Sequence, residues 1–149
     1  MEFERQEAKL NFRKLTIFSC VVIFFSVYSC VPLWIPAGKF SRTYGLDFMS
    51  LHPKLNSALQ DYAKRHNGNS FQIAHLGSDQ VIIQGFYKGG PYRGPLSTTI
   101  TVKPAGPKRT WVEIKISSAA PTTSSAYLKE AARDLFQIIE KGTGGQPLE

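Results

Sequence analysis

Residues 15–30 form a run without a single charged side chain, entered through Arg13-Lys14 and closed by Ser29-Cys30. A run of this kind divides the chain into a leader and whatever folds after it. Hydropathy and charge allow two readings. In the first, residues 15–28 are the apolar core of a secretory signal, Arg13 and Lys14 are its charged end, and a small residue marks the cleavage point. In the second, residues 15–35 are a helix just long enough to cross a bilayer. Arg13 and Lys14 then hold the N-terminus on the cytoplasmic side. Both readings place the rest of the chain beyond a membrane.

A third reading comes from Val27-Tyr28-Ser29-Cys30, which resembles the lipobox of bacterial lipoproteins. Ser29 and Cys30 fit that pattern, whereas Val27 and Tyr28 replace its commonest residues. The resemblance implies lipidation of Cys30, which then becomes the first residue of the mature protein. A thiol at the end of an apolar run lies near the membrane surface, and two or more acyl chains anchor a protein without a spanning helix. Membrane lipid is thus an expected partner, through Cys30 acylation or through the 15–35 run. Cys20, in mid-run, reads as a small apolar residue. The expected location is the bacterial cell envelope, with the domain on the periplasmic or extracellular side.

No cysteine follows Cys30, so the later chain has no disulfide, cysteine-ligated zinc or thiol nucleophile of its own. The net charge is +7. Residues 1–30 hold Arg5, Lys9, Arg13 and Lys14 against Glu2, Glu4 and Glu7, which leaves +6 (7 − 1) for the remainder. A basic domain suits an anionic lipid headgroup, polysaccharide or cell-wall polymer. Behind an export leader, nucleic acid is the least suitable of the anionic partners.

Residues 31–49 mix Pro32, Pro36, Gly38 and Gly45 with Trp34, Phe40, Tyr44 and Phe48, and are expected to form a tether whose later part packs on the domain. The domain itself is expected over 50–142, with a flexible tail at 143–149. Leu55, Ala58, Leu59, Tyr62 and Ala63 recur at helical spacing, which predicts a helix over 52–66 capped by Ser50 or His52 and stopped at Asn67-Gly68. Strands are expected over 71–76, 80–87, 96–102 and 110–117. In the third, Leu96, Thr98, Ile100 and Val102 share one face; in the fourth, Val112, Ile114 and Ile116 face inward and Trp111, Glu113 and Lys115 outward. Leu128, Ala131, Ala132, Leu135, Ile138 and Ile139 mark a last helix over 124–141, ended by Gly142. Short connections favour a meander. The expected fold is an α+β two-layer sandwich, a four-stranded antiparallel meander with two helices on one face, in the order αββββα. The opposite sheet face, with Trp111 and a Thr/Ser row, is left to stay wet or to bind something.

A leader ending in Cys30, a helix, a meander ending in TTITV and TWVEIKI, and the helix SSAYLKEAARDLFQII together resemble a group of small uncharacterised bacterial lipoproteins of domain-of-unknown-function type. The resemblance covers about residues 50–141. It implies a fold and a location, and no activity.

Catalytic chemistry is not evident. His52, His66 and His75 show no i, i+4 pair, and His66 near a helix end suits the helix dipole. The carboxylates are scattered, and no Gly-x-Ser-x-Gly elbow occurs. No enzyme activity, metal or cofactor is expected. Two basic loops are the candidates for ligand binding. Lys88 and Arg93 with Tyr92 lie in a glycine-rich loop that can offer backbone N–H groups to an anion, and Lys108 and Arg109 lie in a second loop. One strand separates the loops, which places them at opposite ends of the sheet. The expected function is a membrane-tethered, non-enzymatic interaction module for an envelope protein or an anionic polymer.

Overall fold

Pro36 and Gly45 bracket a stretch in which Lys39, Ser41 and Thr43 alternate with Gly38, Phe40, Arg42 and Tyr44. That alternation is a strand with one wet face and one covered face. In the computed structural model, which describes residues 36–148, this stretch is β1 (Ala37–Tyr44). Then follow α1 (Phe48–Arg65), β2 (Ser70–Leu76), β3 (Val81–Tyr87), β4 (Leu96–Gly106), β5 (Arg109–Ser117) and α2 (Ser125–Thr143). The five strands form one antiparallel sheet in the order β1-β5-β4-β3-β2. The α+β class, the antiparallel meander β2 to β5 and the two helices agree with the sequence reading.

The strand count does not. The expected four-stranded αββββα order becomes βαββββα, because β1 packs against α2 and pairs with β5 over eight register positions. The tether expected over 31–49 therefore contains a sheet strand, and the fold begins before residue 50. The leader, Cys30 and the 15–35 run lie outside the described residues. Among the described residues no helix is long and apolar enough to cross a membrane.

α1 begins earlier than its periodicity predicts. Asp47 is its N-cap, accepting from the Ser50 N–H at 2.9 Å and the Ser50 hydroxyl at 2.7 Å. Pro53 consequently sits inside the helix and leaves the Met49 carbonyl without its helical donor. Phe48, Leu51, Leu55 and Leu59 are the buried stripe. α2 is capped by Ser124, buries Leu128, Ala131, Ala132, Leu135, Phe136 and Ile139, and runs past Gly142 to a left-handed Gly144 at φ 68°. Gly142 is not a stop. A Cβ there would fall on the Ala58 side chain, so its missing side chain lets α1 and α2 approach.

Both helices lie on the face made by Val81, Ile83 and Tyr87, by Leu96, Ile100 and Val102, and by Val112, Ile114 and Ile116. Burial of each such aliphatic side chain stabilises by about 1.5–3 kcal/mol. The tail is held rather than frayed: Leu148 donates its N–H to the Thr43 carbonyl at 2.8 Å, and Pro147 bridges Tyr44. β1 is thereby covered on its outer edge near Tyr44.

Candidate functional site

With both helices on one side, the even alternation of the strands sends a second set of side chains to the other. Register aligns these in rows across the sheet. One row runs Lys39–Lys115–Thr99–Gln84–Gln72 through all five strands. The next runs Ala37–Ser117–Ser97–Phe86–Ser70. On the other side of the lysine row lie Ser41, Glu113, Thr101, Ile82 and His75. At about 4.8 Å between strands, each row is about 19 Å long.

Two shallow grooves lie on this face. One, of about 360 Å³, is lined by Ser70, Gln72, Gln84, Phe86, Ser97 and Thr99 among others. The second, of about 370 Å³, is lined by Lys39, Ser97, Thr99, Lys115 and Ser117 among others. They share Ser97 and Thr99, so together they cross the sheet from edge to edge. Phe86 is 53% exposed there, an aromatic ring left to solvent between hydroxyl and amide side chains.

Lys39 and Lys115 stand directly opposite each other, an arrangement that like charges disfavour. Glu113 resolves it. Its carboxylate lies 2.8 Å from the Lys39 ammonium and 3.5 Å from that of Lys115. The Lys39 contact is an ion pair rather than an aligned hydrogen bond. Burial pushes the Glu113 carboxyl up, but Lys39 and then Lys115 outweigh it and hold the group below the usual carboxylate range. One carboxylate against two ammoniums leaves the cluster with a net positive charge, and Lys103 and Arg109 share this face toward the β4–β5 turn. A depressed folded pKa contributes stability above the unfolded value near 4.5, lost as pH falls through the folded value. The lysines are largely exposed, so the contribution is about 0.5–1 kcal/mol. Thermal melts from pH 6 to pH 3 should show wild type losing its advantage over Glu113→Gln across that acid range.

The loop residues singled out by sequence do not form one patch. Tyr87 pairs with Leu96 at one end of β4, and Pro104 pairs with Thr110 at the other. Lys88, Tyr92 and Arg93 are therefore separated from Lys108 and Arg109 by the length of a strand, as their spacing predicts. Arg93 is already engaged: its guanidinium lies 2.6 Å from the Glu130 carboxylate and 4.5 Å from the centroid of Tyr127. Tyr127 in turn donates to the Gly94 carbonyl at 3.3 Å, so the loop is strapped to α2. The Lys88 N–H donates to Asn69 Oδ1 at 2.9 Å, and Tyr92 is 99% exposed. Lys108 occupies the turn at φ 55°, a left-handed position unusual for lysine. Arg109 alone among the five lies on the open sheet face.

Alternation had already turned Lys115, Thr99 and Trp111 outward. Lys39 was missed because it lies in the stretch read as a tether, and Gln84 and Phe86 because a row needs register. Two other polar groupings lie away from this face, one part-buried and one with its histidine exposed. Asp134 accepts from the Tyr87 hydroxyl at 3.0 Å, and burial above all, then Asp134, raises that phenol's pKa. His66 stacks on Tyr62 at 4.2 Å. Among the described residues no group of three or more His, Cys, Asp or Glu is placed to hold a metal ion.

These features define a two-layer α+β protein with one covered and one open sheet face. No family model matches the chain, and no curated protein does. Among solved structures it is similar to an HSP90 activator from Plasmodium falciparum, at 8% identity and a TM-score of 0.48, over 74% of this chain and 98% of that one. It is similar also to the Zhui aromatase/cyclase of a Streptomyces species, at 10% identity and a TM-score of 0.40, over 72% of this chain and 93% of that one. A START superfamily protein from Mycobacterium smegmatis gives 10% identity and a TM-score of 0.38, over 71% and 92%.

Proposed function

We propose that this chain is a non-enzymatic binding module of the bacterial cell envelope, and that its ligand is an acidic polysaccharide laid across the open sheet face. It is held at the membrane by acylation of Cys30 or by the 15–35 run, with the domain on the periplasmic or extracellular side. The observation that carries the ligand assignment is the row Lys39–Lys115–Thr99–Gln84–Gln72 beside exposed Phe86. Each part matches one feature of such a polymer. The lysine pair, only half neutralised by Glu113, meets carboxylate or phosphate groups. Gln84, Gln72, Thr99 and Ser97 can donate to and accept from sugar hydroxyls. Phe86 offers a flat apolar surface to the C–H face of a sugar ring. A groove open at both edges accepts a chain rather than a closed small molecule.

The test is binding of the full chain, in detergent micelles, to polygalacturonate and to neutral dextran. Binding to the first only is expected, weakening as salt rises. Lys39→Gln with Lys115→Gln, which keeps donors for Glu113, should lower affinity by about tenfold or more, equivalent to 1.4 kcal/mol. The control, Lys54→Gln with Lys64→Gln on α1, makes the same change in net charge and should leave affinity within about twofold. Phe86→Ala should weaken polygalacturonate but not inorganic polyphosphate. Equal losses in the two lysine pairs would reduce the site to bulk charge and overturn the reading.

A further inference from the structure

An antiparallel sheet has two edges, and here they are treated differently. β1 carries Lys39 and Arg42, and the tail covers its edge through Leu148 and Pro147. Charge and cover are the ordinary ways in which proteins keep an edge from pairing with another chain. β2 reads Ser-Phe-Gln-Ile-Ala-His-Leu, with no lysine, arginine, aspartate or glutamate and no proline.

Only the first part of the β2 edge is capped. The Gln60 amide of α1 donates to the Phe71 carbonyl, so that carbonyl points away from β3. Antiparallel pairing alternates, so Ile73, two residues on, also turns its N–H and C=O outward. Among the described residues, no side chain or loop caps Ile73. From there to the turn the strand is exposed. Ile73 and Leu76 lie on the helix side of the sheet, opposite Ile83 and Val81, yet they are 42% and 63% exposed. The register shift between Ile73 and His75 is what brings both to the same side.

We infer that the β2 edge is a homodimer interface, in which a second copy adds its own β2 antiparallel across a two-fold axis. Three observations favour a copy of this chain as the occupant. A chain of net charge +7 repels itself, so self-association needs a surface without cations, and β2 is the edge strand that has none. The strand is self-complementary about a two-fold axis, because Ile73 and Leu76 of one copy meet the same apolar pair of the other. The backbone groups left open at Ile73 are then satisfied by ladder bonds, as in strand addition. The axis stands perpendicular to the sheet, so the open faces of the two copies share one side and their rows run on across the junction.

The experiment is sedimentation equilibrium of the full chain in density-matched detergent. Wild type should show twice the mass of one chain, and Ile73→Lys with Leu76→Lys the mass of one. Far-UV circular dichroism checks that the variant folds. Amide hydrogen exchange on wild type is the second measurement, and needs no variant: the Ile73 amide should exchange as slowly as the paired amides of β3. A wild-type monomer overturns the inference, whether the Ile73 amide is open or is protected by another part of the same chain. A dimer that survives both lysines overturns it as well. The dimer is independent of polymer binding, so Phe86→Ala should remain dimeric.

Discussion

Gly85→Ala should part β2 from β3 and cost about 3 kcal/mol, at the upper end of what overpacking usually does. Gly85 faces Phe71 across the two strands. A Cβ built there would run into the Ser70 carbonyl oxygen, with the Ser70 carbonyl carbon and the Phe71 Cα also inside 3 Å. All three are backbone atoms, so no rotamer change relieves the clash, and β2 must move. A domain of this size is stable by about 5–15 kcal/mol, so the loss is a large fraction of the whole. Urea unfolding measures it. Gly94→Ala is the control, because no atom lies within 4 Å of its added methyl, and it should shift the midpoint little. The same displacement would break the Gln72–Gln84 pairing, so polygalacturonate affinity should fall with stability.

Glu140→Ala should cost about 2–4 kcal/mol, since it strands two groups at once. The Glu140 carboxylate on α2 accepts from the Arg42 guanidinium and, at 3.2 Å, from the Tyr44 hydroxyl. Tyr44 is fully buried, and Arg42 lies over the Phe136 ring at 4.6 Å. Burial first, then the Glu140 charge, raises the Tyr44 phenol, which therefore remains a donor well into the alkaline range. Glu140→Gln keeps an acceptor for that hydroxyl and should cost about half as much. A double-mutant cycle with Tyr44→Phe should return a coupling of about 1 kcal/mol. Additive losses would mean that the tyrosine and the glutamate do not act together.

That cluster also explains what the sequence could not show. The inward positions of β1 are Gly38, Phe40, Arg42 and Tyr44. A glycine and an arginine on the covered side blur the apolar alternation, so the stretch reads as a tether. Arg42 is tolerated there because Glu140, 98 residues away, lies beside it, and no local pattern reports that partner. By contrast, Leu96 to Val102 and Val112 to Ile116 alternate cleanly and bury the residues that alternation selects. Both helices were legible from their stripes, except that α1 starts at Phe48 with Asp47 as its cap, not Ser50 or His52, and that Gly142 reads as a stop and acts as a point of close approach.

The candidate site divides in the same way. Alternation alone turns Lys115, Thr99 and Trp111 outward. Which residues become neighbours depends on register, and Lys39 meets Lys115 only because a strand from the start of the domain inserts beside β5. The loops drew attention through composition, since glycine, tyrosine and arginine cluster there. In the fold Arg93 is held by Glu130 and Tyr127, so the same composition straps the loop to α2.

The position of β1 also determines how the domain takes a mechanical load. Whatever precedes Pro36 enters the fold through this strand, where the Ser118 N–H grips the Pro36 carbonyl at 3.0 Å. Tension along β1 acts parallel to the strand and perpendicular to its bonds with β5, so the eight cross-strand pairs are sheared together. Pulled across its axis, the same ladder would open one rung at a time. A domain loaded from its N-terminal side is thus braced along its strand direction, with the tail at Leu148 clamping the far end of β1.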